Sequence, residues 1–479
     1  MCAAVAWREA RERLAQAGWY QSSYIMLPNQ APSIRSPFIE SLPTETMLNV
    51  FDYLHTEEKL LPERDGKVSA RSAFFPFGVA TVCHRWRDIL GLKAVYWDCV
   101  AIMLELCPDA SVLRVCLDAF KQLKTIKLYL VYGDRVDISV STENARCSSL
   151  IRLLAPHLSK CEVISVDVRY RSTIVAATRI LDSLDARNLV ELSLESEVTD
   201  STNEALFTNF ISPKLRTLSM DAKTFLAFSK AGKRKETGVR IKYVRYLHVT
   251  SYHPKDKSPH LERSQLISAI VRFTKTYGLV CQLYVRDVIF NPHETRQPGV
   301  IEMVDDVSFA AVDGRFLREF LSHFIPASYS QGRESTLSLA RCHIVSPVFI
   351  RFIADIYLTE IDDSATILHL LKHWSGLSVQ IYDCPGFTDN VLDVMAREYL
   401  CGGASMFIFK NCSISVSGAR RFVSSMRPGG NFEELHVMGA PDMTDEDKYW
   451  FRDRVPDDLT WNGEVLKGEG LMDEFLDDN

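Results

Sequence analysis

The sequence predicts an α/β chain in which a small all-helical module precedes an irregular solenoid of strand–helix units. Three observations carry that expectation. Two short helical patterns near the N-terminus each carry one apolar face. A short apolar strand pattern recurs through most of the remaining chain, and helical stretches fall between its copies. Four segments follow: an N-terminal helix and linker over 1–37, the helical module over 38–100 with an insertion at 55–78, the solenoid over 101–455, and an acidic tail over 456–479.

The chain has 479 residues, of which 47% are apolar and 24% charged, an ordinary globular composition with enough apolar surface for a large core. A formal net charge of −6 argues against a general nucleic-acid binder. No run approaches the ~18 apolar residues that a membrane span needs. The first twenty residues, MCAAVAWREARERLAQAGWY, are Arg-rich and amphipathic. They lack a continuous apolar stretch, and Glu9 and Glu12 stand among the arginines, so a plain helix is favoured over a targeting signal. The twelve cysteines contain no C-x-x-C pair and no Cys/His cluster at zinc spacing. They read as reduced thiols of a cytoplasmic and/or nuclear protein, most of them small core residues.

In SLPTETMLNVFDYL, residues 41–54, Pro43 lies in the first turn, where its missing N–H costs nothing, and Glu45 favours the positive end of the helix dipole. Met47, Val50, Phe51 and Leu54 stand at offsets of 3, 4 and 7, one helical face. GVATVCHRWRDIL repeats the pattern with Val79, Val82, Cys83, Trp86 and Leu90, and Trp97 follows. Helices this short close no core alone. They pack on the rest of the chain or offer their apolar faces to another protein.

The ordered set Leu42-Pro43-x-Glu45, Met47, Val50-Phe51, Leu54, Val82-Cys83-x-x-Trp86 and Trp97 resembles an F-box, in the form common among fungal F-box proteins. The resemblance covers residues 38–100. It implies a three-helix module that docks on the Skp-family adaptor of a cullin-RING ubiquitin ligase. Carried over by position, Leu42, Pro43, Met47, Val50, Phe51, Leu54, Val82, Cys83 and Trp86 are the adaptor-binding or module-core residues, with the stripe of Met47, Val50 and Phe51 as the plug. One departure stands out: the segment between the helices, HTEEKLLPERDGKVSARSAFFPFG, is longer than the family's short connection. Its first part reads as a solvated loop and its end as an aromatic cluster. Such an insertion either lengthens a loop or displaces the second helix. The alternative for the whole region is a pair of core helices within one large domain.

Beyond Trp97 an L-x-L-x-x-C pattern recurs: Leu337-Leu339-Cys342, Val379-Ile381-Cys384 and Phe407-Phe409-Cys412. Looser copies fall at Leu192/Leu194, Leu218/Met220, Leu247/Val249, Leu283/Val285 and Leu435/Val437. First positions at 192, 218 and 247 lie 26 and 29 apart, and those at 379, 407 and 435 lie 28 and 28 apart. The gap of 54 from 283 to 337 holds VSFAAV (Val307, Phe309), and Ile126/Leu128 and Ile164/Val166 start the array. VFIRFIADIYL, NVLDVMAREYL and SGARRFVSSM read as the intervening helices. Periods of this length match leucine-rich repeats, and the array resembles the divergent form found behind an F-box. It is irregular: Cys fills the turn in three copies, and the interval from 337 to 379 reaches 42. An ordinary α/β domain with recurring strands is the alternative. At positions 342, 384 and 412 a small side chain is expected to pack inside the stack.

Chemistry is not written in motifs. G-x-S-x-G, G-x-x-x-x-G-K-[ST], H-E-x-x-H and G-x-G-x-x-G are all absent. His253 and His260, the nearest thing to a histidine pair, fall in a Pro- and Lys-rich loop, and the basic run 231–242 reads as a solvated loop ahead of a nuclear-import signal. The expected function is a non-catalytic substrate receptor of an SCF-type ubiquitin ligase, with no cofactor and no metal. Its expected partners are a Skp-family adaptor, through it a cullin, and a target protein, without nucleic acid or membrane. The alternatives are a repeat scaffold outside any ligase and an enzyme whose active site follows no motif.

Overall fold

The computed structural model describes residues 42–60, 74–105, 109–133, 137–182, 185–201, 207, 209–231, 240–253, 261–278, 280–290, 301, 304–326, 335–426 and 431–467. The expected helix over 1–37, residues 232–239 of the basic run, His260, residues 61–73 of the insertion and the last part of the acidic tail lie outside them. The chain divides into two compact units: Met1–Leu215 with Glu236–Lys242, and Arg216–Lys235 with Tyr243–Asn479.

In the first unit, α1 spans Thr44–Leu60, longer than the 41–54 pattern indicates. The extension begins at His55, which lies one turn beyond Phe51 on the same face and packs its ring against Phe75 and Tyr96. The second helix is shorter than its periodicity. α2 spans His84–Gly91 and begins after Cys83, whose backbone is extended at φ −159° and ψ 166°. Tight turns from Thr81 N to Gly78 O and from Val82 N to Val79 O separate the earlier residues, so Val79 is buried while Val82 is 44% exposed.

Four parallel strands follow: β1 (Cys99–Met103), β2 (Ile126–Val131), β3 (Cys161–Tyr170) and β4 (Glu191–Val198). They are joined by α3 (Ala110–Gln122), α4 (Val140–Leu154) and α5 (Arg171–Leu181), which makes each unit a strand and a helix. Register brings Ile102, Leu130, Val166 and Leu194 into one buried row. The other face is apolar as well, since Ala101, Tyr129, Val131 and Val163 are buried together. Strands apolar on both faces are the pattern of a covered parallel sheet.

The second unit stacks β5 (Thr217–Asp221), β6 (Tyr246–Tyr252), β7 (Val280–Val288), β8 (Val304–Val312), β9 (Thr336–Ala340), β10 (Asp355–Thr359), β11 (Ser378–Tyr382), β12 (Met406–Lys410), β13 (Glu434–Met438) and β14 (Asp458–Trp461) in parallel. β15 (Glu464–Lys467) closes the edge antiparallel. The helices α6 (Ala222–Ala231), α7 (Arg263–Tyr277), α8 (Gly314–His323), α9 (Ser364–Leu371), α10 (Asp389–Glu398), α11 (Val416–Ser425) and α12 (Asp445–Arg452) fall between strands. Every strand expected from the L-x-L pattern is present, the weak VSFAAV copy included as β8.

Two expectations are corrected. VFIRFIADIYL is not a helix: residues 345–354 are irregular, and DIYLT is the strand β10. It resolves the irregular interval, because Ile356 divides 42 residues into 19 (337 to 356) and 23 (356 to 379). Its turn carries the buried Ile361 in place of a cysteine, which removed the visible cue. The acidic tail begins later than residue 456, since β14 and β15 occupy its start. Leu459 and Trp461 continue the two buried rows of β13, and that burial outweighs the acidic composition around them.

The turn after each short strand explains the cysteines. Arg341, Glu360, Asp383 and Asn411 are left-handed at φ 51–53°, and Gly439 takes the same place after β13 at φ 75°. The next residue turns inward. Cys384 Sγ donates to Tyr382 O at 3.2 Å and Leu358 O at 3.6 Å, and Cys412 Sγ to Lys410 O at 3.4 Å and Ile381 O at 3.6 Å. Cys342 bonds Ala340 O and Phe309 O in the same way. Each thiol's one S–H is thus shared between a carbonyl of its own strand and one of the preceding strand. Burial pushes the Cys384 thiol up to about 11 and the Cys412 thiol up to about 12, so they are structural and inert.

Candidate functional site

The helical module is built around Phe51. Met47, Phe51 and His55, four residues apart, form the inward face of α1. Met47 is 2% exposed and Phe51 is fully buried. The Phe51 ring lies 5.7 Å from Trp86 of α2, 6.3 Å from Phe75 and 6.3 Å from Tyr96, in edge-on or tilted arrangements. Phe77 packs edge-on against Trp97, whose indole N–H donates to Leu90 O at 3.2 Å. The aromatic end of the insertion therefore supplies core, and the indole of Trp97 is buried in this way. Leu42 is drawn in by a hydrogen bond from the Arg85 guanidinium to its carbonyl.

Asp52 locks the module from one side. It accepts from Lys93 Nζ at 2.8 and 2.9 Å and from Tyr96 Oη at 2.7 Å. Burial opposes its charge, but the hydrogen bonds from Lys93 and Tyr96 outweigh that and hold the carboxyl below its usual range. Burial, and then Asp52, push the Tyr96 phenol up. Neither Lys93 nor Tyr96 was singled out by sequence reasoning, because their partner lies more than forty residues earlier.

The nine residues expected to bind an adaptor divide into three groups. Met47 and Phe51 are core. Leu42, Val50, Leu54, Cys83 and Trp86 are half-buried, and Pro43 and Val82 are exposed. The single plug of Met47, Val50 and Phe51 is therefore corrected: Met47 and Phe51 are sealed by the module's own aromatic rings, and the outward apolar flank of α1 is Val50, Tyr53 and Leu54. Tyr53 at 44% exposed, and Leu92 and Val95 after α2 at 65% and 45%, are apolar surface that sequence reasoning missed.

The repeats of the second unit present a polar strand face opposite their buried rows. Ser338, Tyr357, Gln380, Ile408 and His436 occupy matched positions on β9 to β13. Gln380 Nε2 donates to Ser378 Oγ at 3.2 Å, and His436 Nδ1 pairs with Thr460 Oγ1 at 2.8 Å. Burial, then Asp355, raise the Tyr357 phenol. Among the described residues no three His, Cys, Asp or Glu side chains are grouped to hold a metal ion. Nor is any described helix long and apolar enough to cross a membrane.

No family model and no curated protein matches this chain. Among solved structures it is matched by a chain of the complex of Rad7 and Elc1 from yeast, at 11% identity and a TM-score of 0.24, over 87% of this chain and 96% of that one.

Proposed function

We propose that the chain is a substrate-recognition subunit of an SCF-type ubiquitin ligase, its helical module docking on a Skp-family adaptor and its repeats holding a target protein. The supporting observation is that the ordered F-box-like residues, distant in sequence, assemble into one module around Phe51 and leave Pro43, Val50, Leu54 and Val82 as apolar surface beside it. Burying such a side chain against a partner contributes about 1.5–3 kcal/mol, and a few of them dominate an interface. On this reading the chain performs no bond chemistry. It raises the effective concentration of a target beside transfer machinery that its partners supply, with a cullin reached through the adaptor. The setting is cytoplasmic or nuclear, in keeping with ten described cysteines that are all free.

A second reading, a scaffold outside any ligase, is favoured by the insertion, whose Phe75 and Phe77 are built into the module core. Co-expression with a Skp-family adaptor separates the two. Val50→Asp with Val82→Asp should abolish co-purification while circular dichroism stays unchanged. Phe51→Ala is the contrasting variant and should lose binding through unfolding of the module. Retention of the adaptor by the folded double variant, or no adaptor bound to the unaltered chain, rejects the ligase reading in favour of the scaffold.

A further inference from the structure

The connection from β9 to β10 is the one place in the β9–β14 run where the chain returns without a helix. An irregular strap, residues 344–354, takes its place. Arg318 of α8 donates to Ser346 Oγ at 3.0 Å on one side of the strap. On the other, Val348 N donates to His369 O at 3.3 Å and the His369 ring pairs with Ile344 O at 3.0 Å. The strap therefore runs between α8 and α9, where neighbouring repeats carry a helix. The side chains divide: Val348, Ile350 and Ile353 are buried, while Val345 is 70%, Phe349 55% and Phe352 43% exposed. An extended chain is about half as thick as the ~10 Å cylinder of a helix, so the strap fills only the floor of a helix-wide position.

The charge on this strip is mainly positive. Neither 344–354 nor 364–377 contains an acidic residue. Arg351 lies on the strap, Arg318 reaches it from α8, and Lys372 stands next to His373. The Asp363 carboxylate is engaged at the start of α9 by Ala365 N, Thr366 N and the Thr366 hydroxyl. Glu319 of α8 is turned away into an ion pair with Arg263 at 3.2 Å. The exposed Phe349 ring is stacked on His373 at 4.4 Å and lies 5.9 Å from the Arg351 guanidinium, a flat apolar platform rimmed by cations.

We propose that this strip is a docking surface for an acidic amphipathic helix of a partner protein, seated over Phe349 between α8 and α9 as a substitute for the repeat's missing helix. Helix-in-groove recognition supplies the form: apolar anchors at i, i+3, i+4 and i+7 meet Val345 and Phe349, and flanking carboxylates meet Arg318, Arg351 and Lys372. The surface is separate from the helical module and does not depend on adaptor docking.

The test uses the full chain and a fluorescein-labelled synthetic helix with Leu and Phe on one face and Glu on the other, followed by anisotropy. Binding is expected to fall at least ~10-fold for Phe349→Ser and for Arg351→Glu with Lys372→Glu, and to weaken with added salt. A Lys-for-Glu version of the peptide should not bind. All substituted side chains are exposed, and unchanged melting confirms that the variants fold. Equal binding by the Lys-for-Glu peptide or by the variants overturns the proposal. So does no binding of the acidic helix alongside capture by anionic vesicles, which assigns the strip to a lipid surface. Adaptor co-purification by the same variants should remain at its original level, so failure here is distinguishable from failure of the ligase reading.

Discussion

The strands β9 to β13 and the strands β1 to β4 bury the same kind of paired apolar rows, yet they end differently. In the first group each strand has five residues and stops at a left-handed residue, and after β9, β10, β11 and β12 a buried Cys342, Ile361, Cys384 or Cys412 follows. In the second group strand length varies from five to ten residues, and no residue at positive φ occurs among the described residues of that unit. The paired rows alone therefore leave the end of the strand open. In β9 to β13 a left-handed residue marks that end, and after β9 to β12 the inward group that follows ties it to the strand before.

The first way to break this comparison is to remove an anchor from the rows. Phe407→Ala, which strips ring contacts to Phe409, Phe422 and Phe432, should cost about 3–5 kcal/mol in urea unfolding. Since each repeat rests on its neighbours, lost hydrogen-exchange protection should be confined to β11–β13 and their helices. Loss reaching β5 would rule out the nearest-neighbour picture.

The turns offer a sharper contrast of sign. Glu360 is left-handed at φ 51°, a conformation costing a non-glycine residue about 1–2 kcal/mol, so Glu360→Gly should be neutral or stabilising by up to ~1 kcal/mol. At the matching place in β3, Val168 is an ordinary buried strand residue. Val168→Gly should lose roughly 2–4 kcal/mol of buried side chain and backbone order. Equal effects of the two glycines on thermal melting would show that the turn is not what separates the two groups.

A smaller effect lies at the helix starts. Asp363 caps α9 by accepting from Ala365 N and Thr366 N, and the Thr366 hydroxyl, with those amides, holds its carboxyl below the ordinary 3.8. The unfolded chain binds this proton first as pH falls, so the stabilisation is present above pH ~4 and is lost as pH drops through the lowered folded value. Asp363→Ala should cost about 1 kcal/mol at neutral pH and progressively less as pH falls below ~4, read from melting curves across that range. The mildest effect is chemical. Cys384 and Cys412 should resist alkylation at pH 8 in the folded chain while the half-buried Cys281 reacts, with mass spectrometry of the modified peptides as readout.

The same contrast accounts for what was legible in advance. The repeats with Cys turns were visible as repeats because the thiol position recurs with the rows. β10 was hidden because Ile361 replaced the thiol and because VFIRFIADIYL has helix-like apolar spacing, while only its end, with Ile356 and Leu358 buried two apart, is a strand. In the helical module the order of apolar and aromatic positions was readable, but not the direction in which each points. Met47, Val50 and Phe51 share one apolar stripe in projection. Only the arrival of Phe75, Trp86 and Tyr96 from later in the chain decides that Met47 and Phe51 face inward and Val50 stays at the flank.

Taken alone, the sequence determined which segments alternate as strands, roughly where the array runs, and that two small helices with aromatic partners stand before it, since local periodicity dictates which faces must leave water. Tertiary structure alone decided which rings seal the module, how Asp52 finds Lys93 and Tyr96, and that one return in the array is a strap instead of a helix. Those outcomes depend on contacts between residues tens of positions apart, and the free energy of such contacts is set by geometry that no local pattern contains.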